Sequence, residues 1–413
     1  MRAFLTFALS VAAMGVALAP PVLADDPQWP RLRGPNGAGL ADAAGIPVQW
    51  TEADYRWKVT LPGGGHSSPV VWGDRVFVTC ADEKTARRTL VCLKAADGST
   101  LWTRDFEAKP CDVNSLNSLA TQTPAVDAER VYVCWATPQD FPVIALDHAG
   151  REVWRRDLGP FKSQHGHGAS PIVLGDMLIV TDDQDGKSFV IALDAKDGKT
   201  RWQTDRPSAK AAYSTPCVYQ GDGGRPQIIL TNTATGITSI DPATGKVNWE
   251  SPSVFPERVV SSPFIAAGLV LGSCGTGGVA KHLVAVRPPS KDGDKPEVAW
   301  KIAKDAPYVP TGLARGDLVF LWSEGGVVQC VRAATGQQVW RQRIKGTFYA
   351  SPVCVGERLY AISSTGEVVV LAAAAEFKEL ARNPLGEKSH ATPAVAGGRM
   401  FLRTWSHVVC AGG

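Results

Sequence analysis

One unit of four short strands recurs along nearly the whole of this 413-residue chain, and nothing else in the sequence limits the fold as tightly. Its clearest copy is Ala169 to Trp202, ASPIVLGDMLIVTDDQDGKSFVIALDAKDGKTRW. Ser-Pro opens an apolar strand over 172–174, and Gly175-Asp176 turns into a β-rich strand over 177–181. Asp185-Gly186 marks a second hairpin, a third strand covers 189–193, and the Asp194 to Gly198 turn leads to a last strand with Trp202. Glycine supplies the positive φ that tight hairpins need. The copies are counted at a proline after Ser or Thr: Pro69, Pro124, Pro171, Pro216, Pro263, Pro352 and Pro393. Pro310, followed rather than preceded by Thr, fills the remaining gap. The eight openings are separated by 55, 47, 45, 47, 47, 42 and 41 residues, the length of a four-stranded propeller blade. A helical solenoid would need a 3.6-residue apolar period, which is missing. The expected fold is all-β, an eight-bladed propeller of four-stranded antiparallel blades.

The fourth strands give a second register. Trp102, Trp154, Trp202, Trp249, Trp300 and Trp340 each close a copy, most of them four residues after a turn glycine (Gly98, Gly150, Gly198, Gly245, Gly336). The run Ala-Leu-Asp, turn, Gly, three residues, Trp resembles the tryptophan-docking signature of the PQQ-like repeats shared by quinoprotein dehydrogenases and the BamB assembly scaffold. The resemblance covers roughly 55 to 412 and implies that each Trp, with Trp57, packs between neighbouring blades. It implies little about function, because this fold hosts unrelated roles.

Residues 1–24 read as a secretory signal: Arg2, an apolar run from Ala3 to Ala19, and Val22-Leu23-Ala24 at the cleavage positions. Pro20 and Pro21 cut the run short of a membrane span, and no Cys follows to carry a lipid. A periplasmic or secreted monomer is expected. Residues 25–54 read as an ordered arm over the ring, because Trp29, Arg31, Arg33 and Trp50 are unusual in a free linker. Residues 55–413 are the propeller. Tyr55 to Leu61 reads as a fourth strand without three before it, and the chain from Pro393 onward has three strands and then stops. Pairing the N-terminal strand with the C-terminal blade completes blade 8 and removes two sheet edges. The long stretches 107–122 and 288–296 read as rim loops. Blade 7 lacks a tryptophan, so Phe377 or Leu380 is expected in its place, on an irregular strand with a helical turn.

Three residues before the opening prolines stand His66, Thr121, Gly168, Tyr213, Val260, Tyr349 and His390. Equivalent positions of a propeller form a circle, so His66, His165, His167, Tyr213, Tyr349 and His390 are expected to converge on one mouth of the central channel, with Glu257, Arg258 and Tyr308 from the next connections. Imidazoles and phenols there suit a small polar ligand or a metal; capping of loop backbone is the competing role. No metal-ligand spacing is present. Asp182-Asp-Gln-Asp185-Gly186 resembles a calcium-loop fragment but lacks the remaining ligands and reads as a turn. The nine cysteines are odd in number; Cys92, Cys330 and Cys410 share a position with Ala145 and Ala192, which suits small buried side chains, and their pairing is not legible.

A formal charge of +3 argues against nucleic acid as a partner. The resemblance to quinoprotein dehydrogenases implies an axial PQQ, a Ca²⁺ ion with carboxylate and amide ligands, a catalytic Asp and, in many members, adjacent cysteines. None of these motifs is present, so no cofactor and no catalytic residue is assigned. The expected function is a non-catalytic scaffold for an envelope protein or peptide. The alternative is a PQQ- and divalent-metal-dependent oxidoreductase of alcohols or sugars, and a third is small-ligand sensing by the His/Tyr ring.

Overall fold

The computed structural model describes residues 28–413 apart from 222–223, 278 and 292, so the signal segment 1–24 lies outside the described residues. Eight antiparallel sheets follow one another around a ring, each with four blade strands. Blade 3 shows the plan: Ile172–Leu174, Met177–Asp182, Ser188–Asp194 and Thr200–Arg206 in spatial order. The ring closes as the sequence requires, with Tyr55–Thr60 pairing antiparallel with His407–Gly412, Trp57 opposite Cys410. Among the described residues no helix is long and apolar enough to cross a membrane.

The core lies between blades rather than at a centre. Tyr132, Val143 and Trp154 of blade 2 pack with Leu178, Val180 and Leu193 of blade 3, and the other interfaces repeat the scheme. In each blade the pairing of third and fourth strands shifts register beside the closing residue, as between Ala192 (opposite Trp202) and Leu193 (opposite Thr200). The residue facing each Trp is small: Cys92, Ala145, Ala192, Ser239, Ala285, Cys330 or Cys410. A small partner leaves room for an indole, which explains why cysteine and alanine interchange there. All nine cysteines are free thiols.

The indoles reach the next blade. Trp202 Nε1 donates to the Pro242 carbonyl at 2.8 Å, and its ring covers Gly245, where an added Cβ would lie 2.6 Å from Cε3 at a φ of 73°. Trp57, Trp102, Trp154 and Trp300 lie in the same way over Gly98, Gly150, Gly198 and Gly336. Trp249 differs, donating to Gln227 Oε1 at 3.0 Å within its own blade, and Trp340 donates to the Ala374 carbonyl at 3.0 Å. Blade 7 corrects the expectation. Its closing residue is Ala381, opposite Val370 on the regular strand Glu379–Pro384. Phe377 instead packs edge-on against Trp340, 5.3 Å between centroids, and Leu380 sits at the margin of the cluster shared with blade 8. That cluster receives Trp50 from the arm, 3% exposed. Its amide donates to Asn383 Oδ1 at 2.9 Å, two residues beyond Ala381.

The arm runs into the ring rather than over it. Gln28–Trp29 pairs with Val71 and Trp72 on the inner edge of blade 1, and Leu40–Ala41 runs parallel with Cys354 and Val355 of blade 7. Between these, the Pro30 carbonyl accepts from Val126 N of blade 2 at 2.8 Å. Arg31 donates to the Pro216 carbonyl of blade 4, and Asn36 exchanges bonds of 2.8 and 2.7 Å with the Val218 backbone. Arg33 donates to the Thr311 and Gly312 carbonyls of blade 6 at 2.8 Å. Contact with the innermost strands of five blades means that the arm crosses the axis. Gly34 permits the crossing: its φ is 69° and a Cβ would meet the Trp29 ring at 2.5 Å. Arg33 itself has a φ of 64°, a conformation that costs a non-glycine residue about 1–3 kcal/mol and persists because its surroundings fix it.

Candidate functional site

The Ser or Thr before each opening proline forms a closed hydrogen-bonded circle. Ser68 N donates to Thr123 Oγ1, Thr123 N to Ser170 Oγ, Ser170 N to Thr215 Oγ1, and Thr215 N to Ser262 Oγ. Ser262 N then donates to Thr311 Oγ1, Thr311 N to Ser351 Oγ, Ser351 N to Thr392 Oγ1, and Thr392 N back to Ser68 Oγ. All eight bonds fall between 2.9 and 3.1 Å. Blade 6 therefore opens at Thr311 with Gly312 in the place of proline, two residues beyond the register that Pro310 suggested.

Above this circle lies a cavity of 430 Å³ on the axis. Two residues upstream of each ring hydroxyl, His66, Thr121, Gly168, Tyr213, Val260, Val309, Tyr349 and His390 line its wall; Arg258, Tyr308 and His165 join them nearer the mouth. Leu32 of the arm also borders the cavity, so the axial channel is a blind cup with the arm as its floor. Two proposed members fall elsewhere. His167 is 4% exposed and is wedged between Phe141 and Phe161, 4.7 and 4.9 Å from their centroids. Side chains alternate along extended chain, and because Gly168 faces the axis, His167 turns into the wall. Glu257 is drawn to Lys210, 3.3 Å away, and does not border the cup.

The aromatic groups at the mouth are mutually packed. His66 stacks on His390 with centroids 4.2 Å apart, Tyr349 lies 4.7 Å from His390, and Trp405 meets His66 edge-on at 5.0 Å. Burial, with repulsion from Arg403 and Lys388 and from His390 when it is protonated, drives His66 down to about 2, so it is a neutral imidazole at physiological pH. Burial likewise lowers His390, and Lys388 adds to this against its bond to Leu116.

The 107–122 stretch crosses the mouth. Its Leu116 carbonyl accepts from His390 Nδ1 at 3.2 Å, and Asn117 Nδ2 donates to the His165 carbonyl at 2.8 Å. A second hollow of 710 Å³ lies outside this strap and shares His66, Asn114, Leu116, Asn117, Tyr349 and His390 with the cup. Neither the strap nor the arm floor is visible in the repeat pattern, since both are departures from it.

Among the described residues no Asp or Glu borders the cup. Glu324, just behind its wall, is occupied by Lys281 and by the amides of Tyr308 (2.8 Å) and Val309. Among the described residues no group of three or more His, Cys, Asp or Glu side chains is placed to hold a metal ion. The calcium-loop fragment is a loop whose carboxylates diverge. Asp183 pairs with Arg206 at 3.4 Å, Asp185 Oδ1 accepts from Ala211 N at 2.8 Å, and Asp182 bonds Gln184 Nε2 at 3.2 Å.

Asp182 is nearly inaccessible and its Oδ1 has no protein partner. Burial and the adjacent Asp183 push it up to about 7 against the Gln184 bond. Its folded pKa exceeds the unfolded value of about 3.9, so the ionised form costs stability that is absent below about pH 4 and complete above about pH 7. Asp182→Asn is expected to raise the melting temperature at pH 8 and to leave it unchanged at pH 4. An equal change at both pH values would mean that packing, not charge, is responsible.

A protein-family model described as outer membrane protein assembly factor BamB matches residues 48–158, 86–342, 293–376 and 324–411. The chain belongs to the BamB-like family of PQQ-type repeat propellers. Its fold matches BamB from Moraxella catarrhalis with a TM-score of 0.63 at 16% identity, over 86% of this chain and 95% of that one. It also matches quinohemoprotein alcohol dehydrogenase from Comamonas testosteroni with a TM-score of 0.62 at 14% identity, over 94% and 80%. At such identities the likeness is one of fold alone. A polyvinylalcohol dehydrogenase of Pseudomonas sp is 25% identical to this member of the family over 242 residues, which is 54% of this chain but 34% of that relative.

Proposed function

We propose that this propeller is an exported, non-catalytic binding scaffold of the cell envelope, and that the axial cup is where it accepts part of its partner. The observation that carries this reading is the composition of the cup wall: hydroxyls, imidazoles, phenols, the amides of Asn114 and Asn117, one guanidinium and a few aliphatic side chains, with no carboxylate among the described residues. The description attached to the matching family, an outer membrane assembly factor, supports an envelope role.

A second reading, an oxidoreductase using PQQ with a divalent ion, is favoured by the sequence match to polyvinylalcohol dehydrogenase. Calcium takes six to eight oxygen ligands, carboxylates prominent among them, and the residues of this cup do not fit that requirement. They also offer no Asp or Glu to act as a general base.

Titration of the purified protein with PQQ, with and without Ca²⁺, is expected to show no calcium-dependent change in absorbance or melting temperature and no dye reduction with ethanol or glucose. Saturable calcium-dependent binding with turnover would replace the scaffold reading with the enzyme. Crosslinking in intact cell envelopes is expected to capture a protein partner.

A further inference from the structure

The charge surrounding the cup is unbalanced. Each ring hydroxyl accepts an amide proton from the preceding blade, and none of the eight bonds uses the hydroxyl's own proton. A hydroxyl has one donor as well as its lone pairs, so the ring hydroxyls that border the cavity keep a donor to offer. Leu32 is flanked in the arm by two buried guanidiniums, Arg31 and Arg33, 6% and 1% exposed. Arg33 bonds the carbonyl of the ring residue Thr311, and Arg31 that of Pro216, next to the ring residue Thr215. Their described bonds all go to carbonyl oxygens. Burial lowers Arg31 to about 10, and burial together with Arg31 lowers Arg33 to about 9; both remain cationic at neutral pH. A third buried guanidinium, Arg403, stands behind the wall, donating to the Ser67 carbonyl at 2.9 Å. Charges held away from water are weakly screened; of the acidic groups behind the wall, Glu324 is taken up by Lys281 and Glu387 acts on Arg403, while the described bonds of Arg31 and Arg33 include no carboxylate.

We infer that the cup binds the terminal carboxylate of an extended peptide, seated over Leu32 within the hydroxyl ring. The preceding residues pass the His66, Tyr349 and His390 cluster and continue beneath the strap into the outer hollow, with which the cup shares those walls. A blind end suits a chain terminus, since a peptide threading through would need the floor to open. Captured termini are a recurrent mode of peptide recognition. The inference rests on the reading of the cup as a binding site.

The test uses the full chain and three probes: acetyl-Gly-Gly-Phe with a free carboxylate, the same peptide as its terminal amide, and benzoate. The acid is expected to bind at least tenfold more tightly than the amide and than benzoate. Leu32→Asp, which sets a like charge on the floor, is expected to weaken the acid at least tenfold, while the isosteric Leu32→Asn changes it less than threefold. Should the Asp variant fail to fold, the acid and amide on the native protein still decide. Equal binding of acid and amide would overturn the inference while the cup remains a binding site. Benzoate binding as tightly as the peptide would overturn the assignment to a chain terminus. Binding by none of the three would overturn the inference on its own, because the scaffold reading is judged by the PQQ titration and the crosslinking.

Discussion

Trp202→Ala is expected to lower the unfolding free energy by about 3 to 5 kcal/mol, the usual cost of emptying a large aromatic site. That is a substantial share of a stability of roughly 5 to 15 kcal/mol. The indole spans two blades: it closes blade 3, donates to the Pro242 carbonyl, and packs with Ile228, Leu230 and Ile240 of blade 4. Truncation leaves a cavity and a carbonyl without its donor. Gly245→Ala should act through the same contact from the other side, because its Cβ would overlap the ring at a φ of 73°. Thermal melts check both, and an unchanged Trp202→Ala melt would refute the interblade role.

Removal of residues 28–42 is expected to be at least as damaging. The deletion withdraws buried Trp29, Arg31 and Arg33 from the axis and strips contacts from the inner strands of five blades. It also turns the cup into an open channel. Trypsin offers an independent measurement. Arg31 and Arg33 lie in a stretch rich in glycine and proline that would be cut readily if free, yet their backbone is enclosed, so the native protein is expected to resist cleavage there. Rapid cutting with no loss of melting temperature would show the arm to be dispensable.

Much of this architecture is legible from local sequence. Blade number, ring closure through Tyr55 to Thr60, and the placement of His66, Tyr213, Tyr349 and His390 around the cup all follow from one repeated register. Failures occur where neighbours override that register. His167 lies close to the ring positions in sequence, but it directly precedes Gly168, and period-two alternation sends it into the wall. Pro310 imitates a repeat position that Thr311 and Gly312 fill. Blade 7 closes with Ala381 and has no indole of its own, and Trp50 arrives from more than 300 residues away in sequence, as the separation of 333 between Trp50 and its partner Asn383 shows. The arm leaves no periodic trace because its bonds, such as Arg33 to Thr311 across 278 residues, are determined only by the assembled ring.

The same arm sets an order of events during biogenesis. Residues made early find their partners late: Arg33 waits for blade 6, Leu40 for blade 7, and Tyr55 to Thr60 for the final strand. Contacts this distant in sequence make for slow folding, and until they form the leading tryptophans and blade edges stand exposed. Such a chain has reason to depend on a holding chaperone until its ring closes, and truncation of only its last strand would leave Tyr55 to Thr60 without its partner.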